Sequence, residues 1–388
     1  MTGKPLRVMT VFGTRPDTIK MAPVVQALST SGSQIESIVC VTAQHREMLD
    51  DLLSFFEIEP NYDLDIMTQN QTLTQITSRV LEGMESVLKK AKPDVVLVHG
   101  DTTTSTSAAL AAFYAHIPVG HVEAGLRTSD LWSPYPEEMN RRVTGTIAAY
   151  HFAPTELAKQ HLLRENVGAD EIVVTGNTVI DEFLATAGRS DLPFPSGWES
   201  LDRSRPIIAV TAHRRENHPY MAEMARAMRA ITELPMRPQI ILPVHPSPQV
   251  KPIIHEILGS AGGVLLTEPL DYPEMVSVIA QCSFVLTDSG GLQEEAPCLG
   301  KPVLVMRDET ERPEGLEAGT LQLVGHDPDR ILAAAARLLS DPSAYERMAK
   351  AHNPYGDGLA SGRIVAWLLA RLRGGIYPAP FSADSRAA

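Results

Sequence analysis

Short, nearly continuous apolar runs recur along this chain. Each closes on a polar stretch and is followed by a segment whose apolar positions repeat at helical spacing. Continuous rather than alternating runs suit strands covered on both faces, as in parallel sheets. In the first half the pattern predicts strands over 6–12, 35–42, 94–99 and 117–122. Helices are predicted over 16–29, 47–56, 73–91, 104–116 and 140–149, with Pro16 in a first turn that tolerates a missing N–H. Between Leu126 and Glu138 lies a Pro-containing loop, longer than most strand-to-helix connections and therefore a candidate functional loop. Residues 176–205 read as a helix followed by the linker signal Leu192-Pro193-Phe194-Pro195-Ser196-Gly197. Strands then resume at 206–211, 239–244, 264–266, 284–287 and 302–306, with helices near 221–233, 249–258, 274–281, 291–299 and 329–339. An amphipathic helix over 362–373 precedes an Ala/Ser/Pro tail that is expected to fray.

Strand alternating with helix in both halves, without an internal repeat, predicts an α/β protein of two Rossmann-like, doubly wound domains. The first is expected over 1–175 with the terminal helix 362–376, the second over 176–361, and a disordered tail over 377–388. A chain of 388 residues is long enough for two separate cores. Its formal charge of -13 argues against a general nucleic-acid binder, which needs a basic stripe. An anionic small ligand remains compatible, because local sign can oppose global sign. Cys40, Cys282 and Cys298 are widely spaced in apolar context, with no Cys-x-x-Cys pattern, and read as buried reduced thiols of a reducing cytoplasm. The chain enters its first strand without a signal-peptide pattern, and no apolar run approaches the ~20 residues of a membrane helix. A soluble, cytoplasmic protein without membrane partners is the expectation.

In open α/β sheets, ligands bind outside the carboxyl ends of the strands. Four polar motifs stand at such ends: Gly13-Thr14-Arg15-Pro16, His99-Gly100-Asp101, His213-Arg214-Arg215-Glu216 and Asp288-Ser289-Gly290-Gly291. Divided between the two halves, they predict a cleft between domains that grips a phosphate-bearing ligand. The first is a glycine turn opening a helix, which suits an anion. It is neither a Walker A nor a Gly-x-Gly-x-x-Gly sequence, and a tight turn with Arg15 solvated accounts for it as well. Lys20 falls one turn further on.

Asp101 and Glu123 each follow an apolar strand, and Glu137 and Glu138 arrive on the Pro-containing loop. Clustered carboxylates raise at least one pKa, the condition for acid or base work near neutrality. Helix capping is the alternative for Asp101, and a surface ion pair with Arg127 the alternative for Glu123. His213, Arg214 and Arg215 at a helix start repel one another unless an anion is present, which favours phosphate binding over a solvated face. His245 suits a core or a strand-end position equally. Ser289 with Gly290 and Gly291 lets the backbone approach a phosphate at a helix start, and Glu295, one turn in, is placed to accept from both hydroxyls of a ribose. Asn177 and Arg312 are further candidate contacts. No cluster has metal-ligand spacing, so chemistry without a metal or other cofactor is expected.

Taken together, the motifs resemble those of the bacterial non-hydrolysing UDP-N-acetylglucosamine 2-epimerases. The resemblance runs from Val11-Phe12-Gly13-Thr14-Arg15-Pro16 to His352-Asn353-Pro354-Tyr355-Gly356-Asp357-Gly358. Between these lie Thr42-Ala43-Gln44-His45-Arg46, Gly120-His121-Val122-Glu123-Ala124-Gly125-Leu126-Arg127, Tyr135-Pro136-Glu137-Glu138, Thr175-Gly176-Asn177 and Glu311-Arg312-Pro313-Glu314. It implies the GT-B fold, with two Rossmann-like domains facing a central cleft and the last helix crossing back to the first. It also implies epimerisation of UDP-GlcNAc to UDP-ManNAc through elimination of UDP to a 2-acetamidoglucal and its re-addition, with the product supplying cell-surface polysaccharide.

Carried over by position, the resemblance makes Asp101, Glu123 and Glu137 acid/base candidates and His213 the diphosphate-side catalyst. It gives Arg15, Lys20, Ser289, Gly290 and Gly291 to the diphosphate, Glu295 to the ribose and Arg312 to the sugar or phosphate region. A second UDP-GlcNAc, acting as allosteric activator, is implied at Gln44, Glu47, Arg215 and His245, with Arg79 a weaker match, and a homodimer is implied as well. The chain departs from the family pattern at Ala212 and His218-Pro219-Tyr220, and at Met275, where a thioether stands in place of an aromatic near the uracil. Three rivals stand beside this reading: a hydrolysing epimerase that releases free ManNAc, a glycosyltransferase, and a non-catalytic nucleotide-sugar sensor. The sensor would have no need of Asp101, Glu123, Glu137 and His213 together.

Overall fold

The computed structural model describes residues 4–383 apart from His45 and Ser129, and only the backbone of Glu47 and Met48. The described residues build two compact units, each around one all-parallel sheet. In the first unit the strands are β1 (Leu6–Phe12), β2 (Ile35–Val41), β3 (Tyr62–Asp63), β4 (Val95–His99), β5 (Val119–Val122), β6 (Tyr150–Ala153) and β7 (Ile172–Val174). Their order is β3-β2-β1-β4-β5-β6-β7. The second unit contains β8 (Ile207–Thr211), β9 (Gln239–Pro243), β10 (Val264–Thr267), β11 (Phe284–Thr287), β12 (Val303–Val305) and β13 (Leu321–Leu323), ordered β10-β9-β8-β11-β12-β13. Both sheets are doubly wound and Rossmann-like, in agreement with the sequence reading of fold class.

Each strand order reverses once, between β1 and β4 and between β8 and β11. A crevice opens at such a reversal because the connections leave in opposite directions. The four polar motifs follow β1, β4, β8 and β11, so the apolar runs deliver them to these two positions. Burial fixes the register: every residue of β4 is buried, and Val96 and Val98 share a core with Met9, Val11 and Met84. In the second unit Ile208 and Val210 pack with Met224, Met228, Ile331 and Ala335.

Several elements escape the apolar pattern. Strand β3 has two residues, β6 carries a histidine, β7 and β13 are short, and the helices Glu156–Arg164, Pro313–Ala318 and Pro342–Ala349 are brief. The single helix expected over 291–299 is instead a turn of α-helix, Leu292–Glu295, followed by a 3₁₀ segment, Ala296–Leu299. Pro297 supplies no N–H to continue an α-helix there. The expected loop is also shorter than 126–138, since a helix already begins at Glu137.

The first unit extends through Glu182 and resumes at Tyr355, whereas the sequence placed these boundaries after 175 and after 361. Polar contacts account for the difference. The Asn177 amide donates to the Tyr355 carbonyl at 2.6 Å. Asp181 accepts from the Ala360 and Ser361 amides at 3.0 and 2.7 Å, capping the helix Ala360–Arg373 from a remote segment. Trp367 of that helix meets the Phe152 ring edge-on, with centroids 5.5 Å apart.

The expectation of a frayed tail is corrected as far as residue 383. Phe381 is buried, and its amide donates to the Val174 carbonyl at 2.8 Å, so the tail pairs with the edge of β7. Arg363 reaches the Ala379 carbonyl and lies 5.7 Å from the Phe381 ring centroid. Residues 384–388 lie outside the described residues. No helix among the described residues is long and apolar enough to cross a membrane.

Emptying a buried phenylalanine site typically destabilises by about 3 kcal/mol or more. Phe381→Ala is expected to lower unfolding stability in urea by about that amount, whereas Ile376→Ala, at a residue 95% exposed, leaves it unchanged. Equal behaviour of the two variants would mean that the tail does not contribute to the core.

Candidate active site

At the end of β1, Gly13 passes so close to Thr42 that a β-carbon would lie 1.8 Å from its Oγ1, so the position admits only glycine. Thr14 caps the helix Arg15–Ser29, its hydroxyl accepting from the Asp17 amide at 3.4 Å. Asp17 thereby sits buried in the first turn, where the helix dipole favours a negative charge. Arg15 is half-buried in the same turn, with no ion pair among the described residues.

After β4, Gly100 adopts φ +57°, and Asp101 leads to Thr102, whose hydroxyl accepts from the Ser105 amide and caps the helix Thr103–Tyr114. Capping is therefore not the role of Asp101. Its carboxylate instead meets Arg141 at 2.6 Å, and its carbonyl accepts from Asn140. After β5, Glu123 adopts φ +61°. Arg127 pairs with Glu165 at 2.7 Å, which removes the alternative of a Glu123–Arg127 pair.

One oxygen of Glu123 gathers three groups. Lys20 Nζ lies at 2.5 Å, Asn177 Nδ2 at 2.8 Å and His99 Nε2 at 3.7 Å. The structure thus places Lys20 on a carboxylate rather than leaving it open for a phosphate. On the far side of the His99 ring, Nδ1 lies 3.4 Å from Asp17, which also accepts from Thr102. Burial opposes the charge of Glu123, but Lys20 and His99 overcome it and hold the carboxyl well below its usual range. Asp101 moves the opposite way: burial raises its pKa, Arg141 opposes, and the nearby charge of Glu123 raises it further. Burial also opposes protonation of His99, yet Glu123 and Asp17 lift its pKa to about 9.

Glu137 begins the helix Glu137–Ile147, and its Oε2 is buried with no hydrogen-bond partner among the described residues. Its neighbour Glu138 is buried and paired with Arg142 at 2.7 Å. The sequence reading overlooked Asp17 and His99 as site residues. The available signal was Asp17 in a first turn beside the Gly-Thr-Arg-Pro motif, together with a histidine closing an otherwise apolar strand.

In the second unit, Asp288 follows β11 and is fully buried. It accepts from the amides of His213 and Arg214, both at 2.9 Å, and from Asn217 Nδ2 at 3.0 Å, while His213 Nδ1 stands 3.2 Å away. The helix expected at His213 is replaced by a 3₁₀ segment, Arg215–Tyr220, with the α-helix Met221–Thr232 beginning later. The cations predicted to be frustrated find partners: Arg214 lies 3.6 Å from Glu216, and His213 adjoins Asp288. Arg215 is exposed.

Ser289 is half-buried, its amide donating to Thr287 Oγ1 at 2.9 Å. Neither Gly290 nor Gly291 has positive φ, so absence of a side chain rather than backbone freedom sets them apart. A β-carbon on Gly290 would lie 3.3 Å from Arg214, and one on Gly291 3.2 Å from Glu295. The four-residue helix that follows is too short to supply the dipole the sequence suggested. Arg312 is engaged by Glu294. Met275 is half-buried in the first turn of the helix Tyr272–Gln281, which the Asp271–Glu274 capping box starts.

Of the positions matched to an activator, Gln44 accepts from Thr104 at 2.9 Å, and Arg79 holds the segment that follows β3 through Ile66, Thr68 and Gln71. The side chain of Glu47 lies outside the described residues. His245 stands with its ring centroid 6.5 Å from His213 and 6.4 Å from His218. Burial and these two neighbours lower its pKa. Among the described residues no three His, Cys, Asp or Glu side chains group to hold a metal ion.

Comparison with known proteins shows the family of the chain. The family profile described as UDP-N-acetylglucosamine 2-epimerase matches residues 27–369. A UDP-N-acetylglucosamine 2-epimerase of Yersinia pestis is 53% identical over 369 residues, covering 93% of this chain and 97% of that protein. One of Bacillus subtilis is also 53% identical, over 94% of this chain and 96% of its own length. The crystal structure of the Neisseria meningitidis UDP-GlcNAc 2-epimerase bound to UDP-GlcNAc superposes with a TM-score of 0.85 at 47% identity, covering 94% of this chain and all of that one.

Asp288→Ala would leave the His213 and Arg214 amides without this acceptor and Asn217 Nδ2 with the Met306 carbonyl alone. A loss of about 3 kcal/mol is expected in urea unfolding, with part recovered in Asp288→Asn, whose amide oxygen still accepts. Wild-type stability of Asp288→Ala would show that the loop is held otherwise.

Proposed function

Because the chain belongs to the UDP-N-acetylglucosamine 2-epimerase family, we propose that it interconverts UDP-GlcNAc and UDP-ManNAc without releasing free sugar. The C2 proton is not acidic enough for simple removal and return. Elimination solves this: a carboxylate takes the C2 proton, the C1–oxygen bond breaks with its electron pair leaving on UDP, and a 2-acetamidoglucal remains. Re-addition of UDP with protonation on the other face of C2 gives the epimer.

One observation carries the proposal. Two carboxylates at the ends of neighbouring strands, Asp101 and Glu123, are pushed in opposite directions, one toward holding a proton and one toward losing it. Such divergence marks acid and base partners. Glu123 and Asp101 then exchange protons with C2, with Glu137 as the third acid/base group. His213, Arg15 and the Ser289-Gly290-Gly291 backbone stabilise the departing diphosphate. Glu295 holds the ribose, and Asn177 and Arg312 complete the contacts. A second UDP-GlcNAc, bound through Gln44, Glu47, Arg215 and His245, activates the enzyme and makes the substrate dependence sigmoidal.

Incubation with UDP-GlcNAc in heavy water is expected to place deuterium at C2 of recovered nucleotide sugar, with UDP-ManNAc as the NMR-visible product. Accumulation of free ManNAc and UDP instead would make the enzyme a hydrolysing one. Asp101→Asn and Glu123→Gln should bind UDP normally while turnover falls about 100-fold or more, as for a lost proton-transfer group. Near-normal turnover in both would remove these carboxylates from the reaction.

A further inference from the structure

We propose that Asp17 and His99 form a buried charge pair that sets the protonation of Glu123 from behind, making His99 a positioning residue for proton transfer. The inference rests on Glu123 being an acid/base group of the reaction. His99 is 3% exposed and Asp17 2%, so neither is open to substrate. The ring stands between two carboxylates, with Nδ1 3.4 Å from Asp17 and Nε2 3.7 Å from Glu123. A neutral imidazole carries one N–H and would turn its lone pair toward one of these anions; only the doubly protonated ring presents N–H to both. Nε2 is buried, has no hydrogen-bond partner among the described residues and lies on the Glu123 side. Thr102 orients Asp17 by donating to its second oxygen at 3.1 Å.

The surrounding charges agree. Lys20 comes from the same helix as Asp17, and Asp101 with Arg141 stands next along the loop after β4. On β5, His121 donates Nε2–H to the Gly100 carbonyl at 2.7 Å, and burial drives its pKa down to about 3, so it adds no charge. Asp17 and Glu123 are then matched by Lys20 and a protonated His99, while Arg141 lies between Asp101 and Glu138, at 2.6 and 3.5 Å. With His99 charged, Glu123 starts the reaction ionised. Once it has taken the C2 proton, the adjacent cation favours giving that proton back, as an epimerase requires. His99 keeps its own proton throughout.

The test compares pH profiles of kcat/KM for the full-length enzyme, His99→Gln and Asp17→Asn. Losing a cation about 4 Å from a carboxylate raises its pKa by roughly one unit or more. The acid limb is therefore expected to move to higher pH by about one unit in His99→Gln, with a smaller shift of the same sense in Asp17→Asn and UDP binding retained in both. A uniform fall in kcat/KM with the limb in place would overturn the proposal and leave His99 a packing residue. Should either variant fail to fold, nitrogen-15 NMR of the histidine-labelled wild type decides. One ring is expected to hold its proton to about pH 9, and the absence of any histidine titrating above about pH 7.5 would overturn the proposal. Failure of the functional reading looks different: Glu123→Gln would keep near-normal turnover while the wild-type histidine titration stayed as expected.

Discussion

A carboxylate withdrawn from water keeps its charge only where opposite charge stands close by, and Glu123 meets that condition from two directions. Lys20 reaches it from the helix after β1, and His99 from the end of β4. Neither contact would exist without the order β1-β4-β5, which sets three strand ends side by side although Lys20 and Glu123 are 103 positions apart. The helix must also start immediately after β1 for Lys20 to arrive one turn later. That is why Gly13 is squeezed against Thr42 and Thr14 caps at once. Sheet order, a glycine and a cap are all conditions for keeping this one buried charge.

The second unit solves a similar problem by other means. Asp288 is buried too, but its hydrogen bonds come from neutral donors, two backbone amides and a carboxamide, with the His213 ring 3.2 Å away. Such donors fix a loop without offering a proton to exchange, which suits holding a ligand rather than reacting with it. Nearby, Arg214 rests beside Glu216, whose side chain is 51% exposed. Exposed pairs of this kind are worth only about 0–1 kcal/mol. An anion can replace that partner at small expense, whereas displacing Asp288 would strip the His213 and Arg214 amides of their acceptor.

Apolar runs made the strand ends legible, and with them the four motifs, because a strand buried on both faces leaves its mark on every residue. What stayed hidden depends on partners distant in sequence. His99 looked like the end of a strand, and only its meeting with Glu123 and with Asp17, 82 positions earlier, raises its pKa. Lys20 read as a diphosphate contact because nothing local announces Glu123. Phe381 sat in a tail of turn-forming residues, and its burial depends on the β7 edge, more than two hundred positions away in the chain. The helix expected at His213 failed because local pattern cannot foresee that Asp288 takes the His213 and Arg214 amides and delays helix entry.

Backbone conformation at the two neighbouring strand ends carries the argument one step further. Gly100 and Glu123 both take the left-handed region, at φ +57° and +61°. At the first, glycine adopts that turn freely. At the second, a side chain is kept there against a steric penalty of about 1–2 kcal/mol. Glycine at 123 would relax the backbone but remove the carboxylate on which Lys20, Asn177 and His99 converge. Packing alone would therefore favour glycine at both positions. The chain retains glutamate at 123, and the strain is offset by the charges that the same carboxylate gathers around it.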